Sequence, residues 1–329
     1  MQNRTVNLRR AKALLMLAVS VGLLAGCRTP DLKPFRDSTA KIQSSVLEAQ
    51  DLYSDELERL RPFVPNGHAL TVQQRAFVNH WAARTEVMDA MVKYAGSLAA
   101  VADAPEKSRV ALEGVAKSIN QLGSAAGPYQ AAIDGTTQIM TELLNLVNQV
   151  RSARQLKKAV AATDTDMQKL ATLLATDFAR LRRTIELNQQ SIKNWMDGPR
   201  AHQLDARTAL IDKAEAKATT LQAGLVGANW AAAVTTFNND MAETQKFLAE
   251  ADKWYLPHRA AVDAAQKQMA ERVKLFRDTE TALAQWGKAH ADLAEALKND
   301  MSPDWTVLRQ SADRIEKSIN KITNQTNTP

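Results

Sequence analysis

The chain has 329 residues, with 42 basic and 36 acidic side chains, a formal net charge of +6 and a sequence pI of about 9.3. Its one cysteine excludes an internal disulfide framework, and 45% apolar residues leave ample material for a core. Only 5% of residues are aromatic, with 12 glycines and 10 prolines, and no segment sustains a β-branched alternation. Abundant Ala, Leu, Lys, Glu and Gln favour helix, so the expectation is an all-α protein.

Arg4, Arg9, Arg10 and Lys12 open the chain, and Ala13 to Leu24 is a short apolar run broken only by Ser20 and Gly22. Small residues Ala25 and Gly26 follow, and then Cys27. This is the three-part layout of a secretory signal, residues 1–26, too short to serve comfortably as a permanent membrane span. The Arg9-Arg10 pair lacks the surroundings of a twin-arginine signal, so the general secretory route is preferred.

Leu24-Ala25-Gly26-Cys27 resembles the lipobox of bacterial lipoproteins. The resemblance implies cleavage between Gly26 and Cys27, a thioether from Cys27 to a diacylglycerol, and acylation of the new amine. The competing reading is a lone buried thiol. Arg28 stands where enteric-type lipoproteins retained in the inner membrane carry aspartate, which implies the periplasmic face of the outer membrane. The signal holds four basic residues and no acidic one, leaving the mature chain at +2. "RQLKKAV" and "RLRRTI" are short, balanced runs, so no nucleic-acid partner is expected.

Residues 27–33 read as a lipidated tether. A first helix is predicted from Pro34 or Phe35 to Leu60. Arg61 to Leu70, with two prolines and Asn-Gly, reads as a loop. Thr71 with Gln74 forms a capping-box pattern, and the next helix carries Phe77, Trp81, Met88, Met91, Ala95 and Leu98 on one stripe, ending near Asp103. A shorter helix with Val115, Ile119 and Leu122 stops at Gly127-Pro128. The longest signal follows, from Ile139 and Leu143 through Leu146, Val150, Val160, Met167, Leu170, Leu174, Phe178, Leu181, Ile185 and Ile192 to Trp195, a span of 57 residues. It predicts a helix about 129–196, with a bend near Thr163 to Asp166. Lys157, Asp164 and Asn188 interrupt the stripe. Asp197-Gly-Pro-Arg200 is expected to end that helix and to separate an N-terminal helical region, 34–197, from a C-terminal one, 200–325. Further helices are predicted over 205–221, 228–254 and 259–298, with Pro257 a break or kink. Phe276, Leu283, Trp286, His290, Leu293 and Leu297 have coiled-coil spacing. Ser302-Pro303 reads as the start of a last helix, carrying Leu308, Ile315, Ile319 and Ile322.

The histidines (His68, His80, His202, His258 and His290) make no Glu-x-x-His or His-Glu-x-x-His motif. His202 and Asp205 read as a capping or surface pair, and His290 as a core-edge residue with a hydrogen-bond partner. There is no phosphate loop and no Gly-x-Ser-x-Gly elbow. No catalytic residue, cofactor site or metal site is expected. The six tryptophans read as core. Residues 218–239 carry no charge for 22 positions. They read as a buried bundle helix, with Gly224 and Gly227 allowing a turn; the alternative is a membrane-inserting segment.

"YAGSLAAVAD" (Tyr94 to Asp103), "LEGVAKSINQLGSAAG" (Leu112 to Gly127) and "LKKAVAATDTDMQKLATLLATD" (Leu156 to Asp177), with the lipobox, are similar to helical lipoproteins of Gram-negative bacteria whose function is uncharacterised. The resemblance covers about half the chain and brings no catalytic residues. The resulting expectation is an elongated helical bundle with long amphipathic, partly coiled-coil helices. It is anchored to the membrane through Cys27 and serves as a binding or scaffolding module for a protein partner or peptidoglycan. The alternatives are a membrane-inserting helical effector and an unrecognised envelope enzyme.

Overall fold

Helices account for the architecture, as a computed structural model of residues 30–61, 68–103, 108–124, 141–143, 145, 152–224 and 230–326 shows. In chain order they are α1 (Lys33–Leu60), α2 (His68–Asp103), α3 (Ser108–Ser124), α4 (Ser152–Gly224), α5 (Trp230–Lys298) and α6 (Thr306–Thr326). Among the described residues there is no strand. The protein is an all-α helical bundle. The predicted signal, residues 1–26, and Cys27 lie outside the described residues, as do Gly127-Pro128, Ile139, Leu146, Val150 and Gly227.

The predicted stripes are the buried faces. Phe77, Trp81, Met88, Met91, Ala95 and Leu98 of α2 are all buried, as are Val115, Ile119 and Leu122 of α3. In α4 the stripe holds at Val160, Met167, Leu170, Leu174, Phe178, Ile185 and Ile192, while Met196 rather than Trp195 takes the last buried position.

The element ends depart from expectation in five places. The tether is shorter than residues 27–33: Pro30 and Leu32 are buried, and α1 begins at Lys33. Helix α2 begins at His68 rather than at Thr71, since the helix formers Ala69 and Leu70 extend it backwards. Helix α4 runs on through Thr163 to Asp166 and does not end at Asp197–Arg200; it continues to Gly224. Likewise α5 passes through Pro257 without a break. A proline inside a helix forfeits a hydrogen bond and costs about 3 kcal/mol. Packing outweighs that: Ile192 and Met196 are buried just before Pro199, and Tyr255 and Val262 are buried on either side of Pro257. Finally, α6 starts at Thr306, not at Ser302-Pro303, because the Asp304 carboxylate accepts the Thr306 N–H at 2.8 Å and sets the first turn there.

The chain clusters into two compact units that interleave in sequence. Unit 1 takes the described residues of Met1–Leu47, Trp81–Phe178 and Asp278–Lys317; unit 2 takes those of Glu48–His80, Ala179–Arg277 and Ser318–Pro329. Asp197–Arg200 lies inside a segment of unit 2.

In unit 1, Phe35 stacks on Trp286 and tilts against Trp305, both at 5.4 Å between ring centroids, and Trp81 meets Phe178 edge-on at 5.7 Å. Arg84 forks onto Asp177 at 2.6 and 3.0 Å while its guanidinium lies 5.6 Å from the Trp81 ring centre. Gly287 lets α5 approach α4 closely: a Cβ there would lie 2.6 Å from that of Ala171.

In unit 2, Tyr53, Phe77 and Phe276 form an aromatic cluster. Beside it a fully buried Arg272 contacts Glu56 at 3.0 Å and donates to the carbonyls of Leu52 and Gln268. Burial raises the Glu56 carboxyl and lowers the Arg272 guanidinium, each partly countered by the other's charge. Further along, α4 and α5 pair antiparallel. Gln266 reaches Asp197 at 3.3 Å, Arg207 meets Asp252 at 2.9 Å and Lys217 meets Asp240 at 2.7 Å.

Candidate functional site

Three places carry chemistry, and each begins with a residue that breaks a pattern. The first is Asp164, a carboxylate on the apolar stripe of α4. It faces His290, which stands on the stripe of α5. His290 is wholly buried rather than at the core edge, and its Nδ1 lies 3.0 Å from Asp164 Oδ1. Its Nε2 lies 2.6 Å from the hydroxyl of Tyr94, which is itself 2.6 Å from the hydroxyl of Thr163. Gln168 donates to the other Asp164 oxygen at 2.9 Å. The rings of Phe35, Trp286 and Tyr94 pack around the imidazole.

Burial opposes ionisation of Asp164. The hydrogen bonds from His290 and Gln168 outweigh it and hold the carboxyl below its ordinary value of 3.8. Burial pushes the Tyr94 hydroxyl well up. A carboxylate only accepts, so Nδ1 of His290 carries a proton. When the imidazole is neutral, Nε2 accepts from Tyr94 and Tyr94 accepts from Thr163. When it is an imidazolium, Nε2 donates to Tyr94 and Tyr94 donates to Thr163. Thr163 then turns its proton to the Ala159 carbonyl, 3.0 Å away. Hydroxyl rotation thus satisfies both protonation states. Sequence periodicity placed His290 on a face; the pairing with Asp164 and Tyr94 is tertiary and has no local signal.

The second place is the end of unit 1 where the described chain begins. Leu32 is fully buried, the Trp305 indole donates to the Asp31 carbonyl at 3.0 Å, and the Asp31 carboxylate caps α1 through the Lys33 N–H at 3.0 Å. Helix α5 closes beside it in a Schellman arrangement. The N–H of Met301 bonds the Ala296 carbonyl at 2.8 Å, and Asp300 takes φ 55°. Lys157, another interruption of the α4 stripe, donates to the Lys298 carbonyl at 2.9 Å and lies 3.7 Å from Asp300. Its cation sits at a helix C-terminus, where the macrodipole favours it. The remaining interruption, Asn188, hydrogen-bonds Tyr53.

The third place is the two-helix stretch of residues 201–256 in unit 2. Among its described side chains only Thr244 and Tyr255 are buried. The charge-free segment is therefore not a buried bundle helix. Its described flanks are largely exposed, because among the described residues α4 and α5 pair along one seam there. Three of the six tryptophans are likewise not core: Trp195 is half-buried, and Trp230 and Trp254 are 57% and 48% exposed, with Phe247 at 55%. Phe247 and Trp254, seven residues apart, share one helix face. Thr219, Thr220, Thr235 and Thr236 each turn their hydroxyl onto the carbonyl four residues back.

Elsewhere, an open groove of about 520 Å³ in unit 2 is lined by Glu186, Gln189, Lys193, Gln266, Met269 and Arg277 among others. Gln189 donates to the Met269 carbonyl at 2.6 Å, and Arg277 faces Glu186 at 3.8 Å, so these polar groups are engaged with the protein itself. His202 and Asp205 are both exposed. Among the described residues no three His, Cys, Asp or Glu side chains cluster as a metal site would require, and no helix is long and apolar enough to cross a membrane. Comparison with models of known families, with curated proteins and with solved structures finds no match.

Proposed function

We propose that this chain is a lipid-anchored helical lipoprotein of a Gram-negative envelope. It is held through Cys27 on the periplasmic face of the outer membrane and works as a binding or scaffolding module without a cofactor. The observation that carries the anchor is Leu24-Ala25-Gly26-Cys27 at the end of a complete signal, directly before the folded chain. Three acyl chains on one residue suffice for stable attachment, since each buried methylene contributes about 0.8 kcal/mol and a second chain makes attachment durable. The binding role is supported by residues 201–256, whose two helices expose large aromatic side chains and bury almost nothing. Such a surface suits a protein partner or the peptidoglycan matrix better than a small molecule, which needs a cleft.

Cys27→Ser tests the anchor, because serine cannot form the thioether. The variant is expected to leave the membrane fraction. A wild type that is fully membrane-bound with an unmodified Cys27 contradicts the reading. Photo-crosslinkers at Phe247 and Trp254, in intact cells, are expected to capture one recurring partner that a crosslinker at exposed Val110 does not. Identical products at all three positions count against residues 201–256 as the binding surface.

The exposed charge-free segment favours a second reading, insertion of the hairpin into a membrane, since hydroxyls bonded within their own helix lower the cost of an apolar surrounding. Its glutamine and three asparagines weigh against it. Residues 28–329 without lipid are expected to stay soluble and helical; a need for detergent favours insertion.

A further inference from the structure

We propose that the end of unit 1 formed by Pro30–Lys33 and the Asn299–Trp305 connection rests on the bilayer, with Met301 and Val307 as its apolar contacts. This rests on the lipid anchor at Cys27 and goes further by assigning the face that meets the membrane.

The argument starts from chain length. Only Arg28 and Thr29 separate Cys27 from Pro30. Three Cα steps, fully extended, reach at most about 11 Å. From Pro30 onward the chain has no slack. Pro30 and Leu32 are buried, the Asp31 carbonyl is held by the Trp305 indole, and Lys33 begins α1. The headgroup zone on each side of the hydrocarbon core is about 5–8 Å deep. A lipid seated in the bilayer therefore keeps this end of the bundle at the headgroups, and no other part of unit 1 is tied so closely.

The chemistry of the end suits that position. Its two lysines are paired: Lys33 lies 4.0 Å from Asp103, and Lys157 lies 3.7 Å from Asp300. The carboxylates of Asp31 and Asp304 cap α1 and α6. The two lysines and four carboxylates leave this end slightly negative, so it offers anionic lipid no electrostatic attraction and its contact with the bilayer must be apolar. Beside these groups stand two exposed apolar side chains, Met301 at 57% and Val307 at 50%. Met301 is held outward by the Schellman bond of its own N–H, and an unbranched thioether adapts readily to acyl chains.

The acylated protein supplies its own test, because a lipidated Cys27 leaves any introduced cysteine as the sole free thiol. Met301→Cys and Val307→Cys, labelled with a polarity-sensitive fluorophore, are compared with Ala82→Cys. Ala82 is exposed on α2, about 32 Å along the helix from Asp103. The vesicles are phosphatidylcholine with a minority of phosphatidylglycerol and a headgroup-labelled quenching lipid. Both face positions are expected to be quenched several-fold more strongly than Ala82→Cys, with no loss of quenching between about 0.05 and 0.5 M salt. Equal quenching at all three sites, or stronger quenching at Ala82→Cys, overturns the assigned face while leaving the anchor intact. Intact mass on the same samples separates the two failures: a Cys27 without lipid overturns the anchor and the face together.

Discussion

The interior of unit 1 and the two-helix stretch of residues 201–256 are built from the same alphabet and behave oppositely. In unit 1, apolar side chains at three-four spacing find partners from several helices. Rings stack, and even a histidine is wholly enclosed. In the stretch, similar spacing continues along α4 and α5, yet two helices can cover only one seam. Phe247 and Trp254 are left at the surface, and ion pairs such as Arg207–Asp252 and Lys217–Asp240 hold the register. Amphipathic periodicity specifies a helix; the number of neighbours decides whether its apolar residues become core.

Tryptophan truncation is the sharpest way to break this comparison. Trp286→Ala should remove about 3–5 kcal/mol of stability, whereas Trp254→Ala should stay within about 0.5 kcal/mol. Denaturant unfolding reads both, and equal losses would end the distinction.

The buried pair of unit 2 offers a second large effect. Arg272→Met alone should cost about 3–5 kcal/mol, because Glu56 is left charged and enclosed; adding Glu56→Leu should recover most of it. If the double variant is as unstable as the single one, the pair is more than a compensated burial.

Next in size is the polar network of unit 1. Tyr94→Phe orphans groups on His290 and Thr163 and should cost about 1–3 kcal/mol. The pH dependence follows from the two displaced groups. The Tyr94 hydroxyl is raised above its ordinary 10.0, so its contribution is present below that pH and fades as pH climbs past it. Tyr94→Phe should therefore flatten the alkaline limb of the stability curve. The Asp164 carboxyl is held below 3.8, so its contribution is present above that pH and is lost as pH falls beneath it. Asp164→Asn should flatten the acid limb. Unchanged limbs in both variants would show that the network is not coupled to folding.

The smallest effect concerns Asp300, a non-glycine in left-handed backbone. Asp300→Gly relieves about 1 kcal/mol of strain and gives up an exposed contact with Lys157 worth less than that. Thermal melting should rise slightly; a fall would mean that the Lys157 contact outweighs the strain.

Much of the fold was legible because burial in α2, α3, α4 and α5 follows the three-four spacing of Phe77, Val115, Leu170 and Leu283. What was not legible is tertiary in origin. Pro257 and Gly198-Pro199 are local helix breakers, and only packing by distant residues overrides them. Lys157, Asp164 and Asn188 look like faults in a stripe until their partners at Lys298, His290 and Tyr53 are in place. The close approach at Gly287 is likewise invisible without Ala171. The exposure of residues 201–256 could not be read from composition, because a charge-free helix has the same sequence whether or not a third helix covers it. Leu24-Ala25-Gly26-Cys27 stands apart: the anchor proposed from it would be read by enzymes rather than by packing.

The most direct measurement is the intact mass and N-terminal peptide of the protein extracted from membranes of its own host. The account predicts a chain that begins at Cys27 and carries a thioether-linked diacylglycerol with an acylated amine. A chain that begins elsewhere, or whose Cys27 is a free thiol, would contradict it.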